Sequence, residues 1–196
     1  MVRQEARRAA TREAILDAAE TLFGEQGYAA TTMDAIAALA HVAKGAVYHH
    51  FAAKRDVFEA VFERVSARLL YAIGAKIRSD VGVIEQLILA IELYFMLCSD
   101  AATVQITLRD APSALGYERW SALDAHHFGG QLSATLASAI AAGAIDDQPV
   151  EPLAKLLLAA IQAAALNCAK ADDFAASAKP YIAGLKAMLH GLAINR

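Results

Sequence analysis

Apolar residues recur every three or four positions along most of this chain, which is the spacing of one face of an α-helix. The first helix is predicted from Thr11, with Gly24 and Gly27 loosening and ending it. A second helix is predicted over residues 32–40, where Thr31 and Thr32 offer N-terminal caps, and a third over residues 44–50. Three short or medium helices therefore open the chain.

Longer amphipathic segments follow. A fourth helix is predicted after residues 52–56 and is expected to end near Gly74. Five more segments have helical periodicity, with breaks where Asp, Ser and Pro occur: about 83–98, 101–109, 116–143, 150–170 and 173–192. The pattern predicts about nine helices.

The composition supports an all-α fold. The 196 residues are 57% hydrophobic, and alanine makes up roughly a quarter of them. Alanine is the strongest helix former and is depleted in strands. Only four prolines occur, and the first of them is Pro112. These features exclude a β-sandwich or barrel and predict a soluble helical protein.

Charge is distributed unevenly. The formal net charge is −3, yet residues 1–55 hold seven basic and six acidic side chains, so the rest of the chain is the acidic part. An N-terminal nucleic-acid-binding domain followed by an acidic remainder of the chain would show this asymmetry. The two cysteines, Cys98 and Cys168, lie far apart, which argues against a disulfide framework and fits a reducing cytoplasm.

Neither a targeting signal nor a membrane span is predicted. The N-terminal charges are not followed by an apolar core, so a signal peptide is not expected. Residues 125–145 carry no formal charge and have the length of a span, but they include two histidines, three glycines and several hydroxyl groups. This polarity favours a buried or half-buried helix of a soluble protein.

Residues 32–51 have the spacing of a DNA-binding helix-turn-helix. Two short helices that cross steeply need a small residue where they touch and a turn residue with positive φ. With Met33 as position one, the apolar positions four, eight, ten and fifteen are Ile36, Ala40, Val42 and Val47, and the small fifth residue is Ala37. An alanine-rich chain also reaches this pattern by chance.

The surrounding residues make the match specific. Phe23-Gly-Glu-Gln-Gly-Tyr28, Thr31-Thr-Met-Asp-Ala-Ile-Ala37, Val42-Ala-Lys-Gly-Ala-Val-Tyr-His-His-Phe51 and Lys54 resemble the tetracycline-repressor (TetR) family of bacterial regulators. The resemblance covers about residues 11–60. It implies a helix-turn-helix DNA-binding domain over 1–55 and a helical ligand-binding and dimerisation domain over 56–196. It also implies a ligand-responsive DNA-binding transcriptional regulator, most often a repressor released from its operator by a small molecule.

The chain departs from the family pattern at two positions. The usual turn glycine is His41 here, so a histidine is expected in a left-handed conformation, which costs a non-glycine residue roughly 1–2 kcal/mol. Ala53 replaces a serine that commonly caps the fourth helix, and we expect Asp56 to support that helix start instead.

The resemblance also implies which side chains contact DNA. Lys44 opens the recognition helix and is expected to donate to guanine, while Gly45 lets the backbone approach closely. Tyr48, His49 and His50 correspond to phosphate and base-edge contacts, and Lys54 to a flanking phosphate anchor. Thr31 and Thr32 stand at a helix N-terminus, which favours phosphate binding. The N-terminal arginines are candidates for a basic arm or a solvated tail: Arg3, Arg7, Arg8 and Arg12.

Other roles are open for some of these residues. Phe51 is expected mostly in the core, whereas Tyr48 is either a core residue or a DNA contact. His49 and His50 as a metal pair are disfavoured, because adjacent helical residues point about 100° apart and no partner four residues on completes a site. We predict neither a metal nor a cofactor.

The last two long helices carry apolar stripes that the resemblance assigns to a homodimer; the alternative is burial within one subunit. The stripes are Leu153, Leu156, Leu157, Ala160 and Ala164, then Tyr181, Leu185, Met188 and Leu192. Candidate ligand-binding residues are large or polarisable side chains of the middle helices and a few polar groups, each of which also fits a core or surface role: Phe62, Tyr94, Cys98, Gln105, Arg109, Trp120, His127 and Asn167. The ligand is not identified.

An enzyme is not predicted. The chain has no G-x-S-x-G, H-E-x-x-H, P-loop or Rossmann glycine pattern. A third class of function is a helical ligand-binding protein that no longer binds DNA. The presence of the candidate DNA-contact residues argues against this class: Lys44, Tyr48, His49 and Lys54. The expected partners are double-stranded operator DNA, a second copy of the chain and a small molecule, in the cytoplasm and without a membrane.

Overall fold

The computed structural model describes residues 2–193, with side chains from residue 4 onward. Within that range the chain forms nine helices and no strand apart from one isolated bridge between Ile145 and Ala193, so the predicted all-α fold is confirmed. The helices are α1 (Val2–Ala30), α2 (Met33–Leu39), α3 (Lys44–His50), α4 (Lys54–Gly74), α5 (Val83–Leu97), α6 (Ala101–Ala114), α7 (117–141), α8 (Val150–Cys168) and α9 (Phe174–Leu192). Helices α6 and α7 each contain a π-helical stretch, Gln105–Asp110 and Ala125–Gly129.

The chain packs as two compact units. The first comprises the described residues up to Val65 together with Ala101–Trp120. The second comprises Ser66–Asp100 and the described residues from Ser121 onward. This grouping differs from the predicted domain division after residue 55, because α6 packs on α1 rather than with the other later helices. The order of helices along the sequence does not reveal that α6 packs back on the N-terminal helix.

Gly24 and Gly27 have different roles in α1. A Cβ on Gly24 would lie 2.7 Å from the Cβ of Ala102, so Gly24 permits the close approach of α6. The prediction that Gly24 helps to end the first helix is wrong, because α1 continues past it. At Gly27 the backbone turns to φ 81°, and α1 continues from this kink to Ala30. The amide of Tyr28 then donates to Asp110 Oδ2 at 2.7 Å, which holds the kink against α6.

The core of the first unit is aromatic around α1 and α4. The rings of Phe23, Tyr28 and Phe58 form edge-on and tilted contacts with centroid distances of 5.0–5.9 Å. Arg64 of α4 also donates to Glu20 at 2.7 Å and to Asp17 at 2.7 Å, both on α1. These contacts set the position of α4 against α1, and the short helices α2 and α3 also pack on α1.

The second unit packs α5, α7, α8 and α9 around an aliphatic core. Its fully buried side chains include Leu136, Ile145 and Leu189. By length and composition α8 is the one described helix that could by itself cross a membrane. It packs on both α7 and α9 in this unit.

Candidate nucleic-acid interface and ligand cavity

A Schellman motif joins α2 to α3. The amide of Val42 donates to Ala37 O at 3.0 Å and that of His41 to Ala38 O at 3.2 Å. His41 has φ 54°, which confirms the left-handed conformation expected at this position. Its side chain is exposed, so the imidazole adds little packing to offset the backbone strain.

Capping bonds define the starts of the flanking helices. The Thr32 hydroxyl accepts from the amide of Ala35 at 3.1 Å and caps α2. The Asp56 carboxylate accepts from the amide of Ala53 at 2.9 Å, which confirms that Asp56 supports the start of α4. Ile36 and Val47 are fully buried, as the helix-turn-helix spacing predicted.

The outer face of α3 presents hydrogen-bonding side chains. Lys44, Gly45 and His49 are exposed, and the exposed fraction of Tyr48 is 47%. Phe51, which follows α3, is buried as expected and places the helix against the core. A primary amine, a phenol and an imidazole on one exposed helix supply the donors that phosphates and base edges accept.

Lys44 carries its own counter-ion in the DNA-free protein. Its ammonium lies 2.8 Å from Asp34 Oδ1 on α2, and the hydrogen bond to Asp34 raises the pKa of Lys44. Both side chains are well exposed, so the pair contributes little to stability. The carboxylate orients the lysine and competes with any phosphate or base for it.

His50 is half-buried beside two arginines of α1. Burial first, then His49, Arg8 and Arg12, lower the pKa of His50, so its imidazole is neutral near pH 7. The Arg12 guanidinium lies 5.3 Å from the centroid of the Phe51 ring. The side chain of Arg3 lies outside the described residues. Two of the four predicted N-terminal arginines thus lie beside the end of α3.

Two of the predicted DNA contacts are engaged inside the protein. Thr31 is fully buried, and its hydroxyl donates to Gly27 O at 2.8 Å, so it offers no surface to a phosphate and that prediction is corrected. The Lys54 ammonium donates to Tyr28 O at 2.7 Å and to Thr31 O at 2.8 Å. It also lies 4.3 Å from the centroid of the Tyr28 ring. These contacts hold the connection between α1 and α2.

The second unit contains a cavity of about 110 Å³. Aliphatic side chains from all five helical segments of the unit line it, among them Leu70, Ile73, Leu87, Ile91, Leu157 and Leu189. The polar lining groups are Tyr94, Asp124, Gln131 and Thr135. An apolar cavity with a few polar groups is the usual form of a small-molecule site.

The eight residues predicted for the ligand are not brought together. Only Tyr94 of the eight lines the cavity, and Cys98, the C-cap of α5, is buried near it. The second unit also contains His127 and Asn167, but Asn167 is exposed and donates to Ala163 O within its own helix. The other four lie in the first unit: Phe62, Gln105, Arg109 and Trp120. Of these, Phe62 and Trp120 are buried core residues.

Sequence reasoning missed Asp124. This carboxylate is buried, accepts from Gln162 Nε2 at 2.7 Å and lines the cavity. Burial raises the pKa of Asp124 to about 6. An isolated aspartate within an apolar helical stretch was the available signal, since charged groups are rarely buried without a reason.

The predicted dimer stripes divide between the interior and the surface. Leu157, Ala164 and Leu185 are buried within the subunit, as the alternative reading held, so they are removed from the predicted interface. Leu153, Ala160 and Leu192 are half-buried. The exposed fractions are 70% for Leu156, 51% for Met188 and 39% for Tyr181. These three are the large apolar groups of α8 and α9 that a partner would cover.

Two short helices joined by a tight turn, with hydrogen-bond donors exposed on the second helix, are the arrangement of helix-turn-helix DNA-binding proteins. Two family models match the chain: "Bacterial regulatory proteins, tetR family" over residues 15–61 and "Tetracyclin repressor-like, C-terminal domain" over residues 84–192. The chain therefore belongs to the TetR family of transcriptional regulators, and the resemblance read from the sequence is confirmed.

Individual relatives agree with this assignment. The HTH-type transcriptional repressor BepR of Brucella suis biovar 1 (strain 1330) is 47% identical over 64 residues, which span 33% of this chain and 31% of BepR. A TetR-family regulator from Pectobacterium atrosepticum is 27% identical, with 97% of each chain covered and a TM-score of 0.86. FadR from Bacillus subtilis, solved with stearoyl-CoA, shares the fold at 22% identity, a TM-score of 0.71 and coverage of 88% of this chain and 96% of FadR.

Proposed function

We propose that this chain is a homodimeric repressor that binds operator DNA through α3 and leaves it when a small molecule enters the cavity of the second unit. The exposed face of α3 carries the proposal, because Lys44, Tyr48 and His49 present donors on a helix whose apolar side is buried. Thr32 adds a hydroxyl at the N-terminus of α2, where a phosphate is favoured.

Different residues have different tasks in this proposal. Lys44 and Gly45, at the start of α3, approach the base edges, since the first residues of a recognition helix reach deepest into the major groove. Tyr48, His49 and the neutral His50 contact phosphates or base edges. Lys54 acts by holding the connection between α1 and α2, because its ammonium is already bonded to carbonyl oxygens there.

The exposed apolar residues of α8 and α9 support the proposed dimerisation. Leu156, Tyr181 and Met188 are large and exposed, and small residues beside them, such as Ala163 and Gly184, allow helices of two subunits to approach closely. A two-fold dimer presents two α3 helices to half-sites one DNA turn apart or a multiple of it.

Ligand control requires that the small molecule bind the DNA-incompetent state more tightly than the competent one. The helix that begins at Lys54 contributes Leu70 and Ile73 to the cavity lining, so we propose that this helix responds to the ligand. A coupling of about 1–3 kcal/mol is typical of such regulation. Support for a repressor comes from BepR, which is named as one. We place the protein in the cytoplasm, without enzymatic activity or a cofactor.

The test is DNA binding by the purified full chain, measured by fluorescence anisotropy on the DNA upstream of its own gene. We expect a salt-dependent specific complex, and we expect Lys44→Ala to weaken the specific complex by about tenfold or more while affecting unrelated DNA less. Lys76→Ala is the matched control, because Lys76 is an exposed lysine of the second unit. No complex at any salt concentration, with the dimer intact, would refute the proposal.

A further inference from the structure

We propose that the cavity of the second unit takes an apolar ligand with one positively charged nitrogen, and that Asp124 is the counter-ion of this nitrogen. The inference deepens the proposed function, on which it rests, by naming the chemical class of the small molecule. It is carried by the position of one carboxylate in a cavity that is otherwise aliphatic or uncharged.

The lining has a single group that is anionic at neutral pH. Leucine, isoleucine and phenylalanine form most of its surface, and the other polar lining groups are Tyr94, Gln131 and Thr135. Lysine, arginine and histidine are absent from the described residues that line it. A ligand that fills this space therefore needs an apolar body and gains from a cationic end placed at Asp124.

The carboxylate of Asp124 is held in place but not neutralised by the protein. Its residue is 6% exposed, and the hydrogen bond that the structure describes comes from Gln162 Nε2 to Oδ2 at 2.7 Å. An amide donor orients a carboxylate without cancelling its charge. Burying an uncompensated charge is costly, and a bound ammonium or amidinium group would remove this cost.

The groups facing Asp124 from the packed helices do not supply a cation. Tyr94 lies on α5 and Cys98 is the C-cap of that helix; burial raises the pKa of both, that of Cys98 to about 12, so both are neutral. Gln162 on α8 is neutral, and α4 and α9 contribute aliphatic residues to the lining. On its own helix the nearest titratable side chains are His126, which is exposed, and His127, and neither lines the cavity.

The titration of Asp124 gives the inference a pH signature. Burial raises the pKa of this carboxyl to about 6. A proton and a cationic ligand compete for the same carboxylate, so acidification weakens the binding of a cation. The cavity volume of about 110 Å³ accommodates a ligand of on the order of ten non-hydrogen atoms.

Three probes of nearly equal size and different charge test the inference on the purified full-length protein without DNA. They are 3-phenylpropylammonium, 3-phenylpropan-1-ol and 3-phenylpropanoate, and their affinities are measured by isothermal titration calorimetry. At about pH 8 we expect the ammonium to bind about tenfold or more tightly than the alcohol, and the carboxylate to bind most weakly. At about pH 5 the ammonium should lose about tenfold in affinity, because most Asp124 is then protonated, while the alcohol should not change.

Asp124→Asn separates charge from shape. The asparagine side chain keeps an oxygen acceptor for Gln162, so we expect the ammonium to bind no better than the alcohol in this variant, with alcohol binding unchanged. Asp147→Asn is the matched control, since Asp147 is an exposed acid of the same unit. The pH series on the unaltered protein stands independently of how well the variant folds.

Each other outcome overturns the inference. Equal binding of the ammonium and the alcohol, preferred binding of 3-phenylpropanoate, or no binding of any probe would each exclude a cation site at Asp124. Ammonium affinity that is independent of pH between about 5 and 8 would do the same. DNA binding by the ligand-free protein is measured separately, so failure of the proposed function would be distinguishable from failure of this inference.

Discussion

His41→Gly is expected to stabilise the first unit. His41 occupies the position after the C-cap of α2 with φ 54°, where glycine is the preferred residue. The left-handed conformation costs a non-glycine residue roughly 1–2 kcal/mol, and glycine loses about 0.5–1 kcal/mol more conformational entropy on folding. The difference is a net gain of about 0.5–1 kcal/mol in the free energy of unfolding.

His41→Ala is the matched control for this gain. Alanine keeps the strained conformation and removes an exposed imidazole, while histidine tolerates left-handed backbone better than most residues do. The expected order of stability is therefore glycine, histidine, alanine. The backbone bonds from Val42 and His41 to α2 are compatible with all three residues, so α3 stays in place and DNA affinity should change by less than about twofold.

The assay is urea and thermal unfolding followed by circular dichroism. For a chain of this size, 1 kcal/mol corresponds to about 2–4 °C in Tm. A glycine variant that is no more stable than the alanine variant would refute the strain argument. A large loss of DNA affinity in the glycine variant would show that the imidazole has a role in the complex.

Three further predictions follow from single contacts. The pKa of Asp124 rises on folding from 3.8 to about 6, so the folded state binds the proton more tightly than the unfolded state does. The free energy of unfolding should therefore fall by roughly 3 kcal/mol as pH rises from about 4 to 6. Asp124→Asn should abolish this slope in a pH series of urea unfolding. Lys54→Met should lower the free energy of unfolding by about 2–3 kcal/mol, because it removes the hydrogen bonds to Tyr28 O and Thr31 O. The salt dependence of DNA binding should not change, and a reduced salt slope would mean that Lys54 contacts a phosphate. Gly24→Ala should cost about 1–3 kcal/mol in thermal unfolding because its Cβ meets Ala102, whereas Gly45→Ala, with no described atom within 4 Å of the added Cβ, should not destabilise α3.

Local features of the helix-turn-helix region could be predicted from the sequence. The bounds predicted for α3 match those observed, His41 has the expected positive φ, and Asp56 supports the start of α4. These features depend on a few consecutive residues, whose backbone preferences and capping groups act over one helical turn. Thr31 shows the limit of this reasoning, because a hydroxyl at a helix start is exposed or buried depending on how α1 and α2 pack.

The cavity could not be predicted from the sequence in the same way. Its lining comes from five separate segments, so no window of the sequence contains it. Among the predicted ligand residues, Phe62 and Trp120 have the right chemistry but pack in the core of the other unit. Asp124 is one carboxylate among many in the sequence, and only the packing around it distinguishes it from a solvated acid.

By itself the sequence determined that this protein is helical and that residues near its N-terminus form a helix-turn-helix, because periodicity and short-range spacing encode these properties. Its membership of the TetR family was indicated by the resemblance of the motifs between residues 23 and 54. The tertiary structure decided which apolar stripe of α8 is internal: Leu157 is buried and its neighbour Leu156 is exposed. It also decided that Lys54 bonds carbonyl oxygens and that Asp124 lines a cavity. Burial and long-range contact depend on how distant segments meet, which helical periodicity alone does not specify.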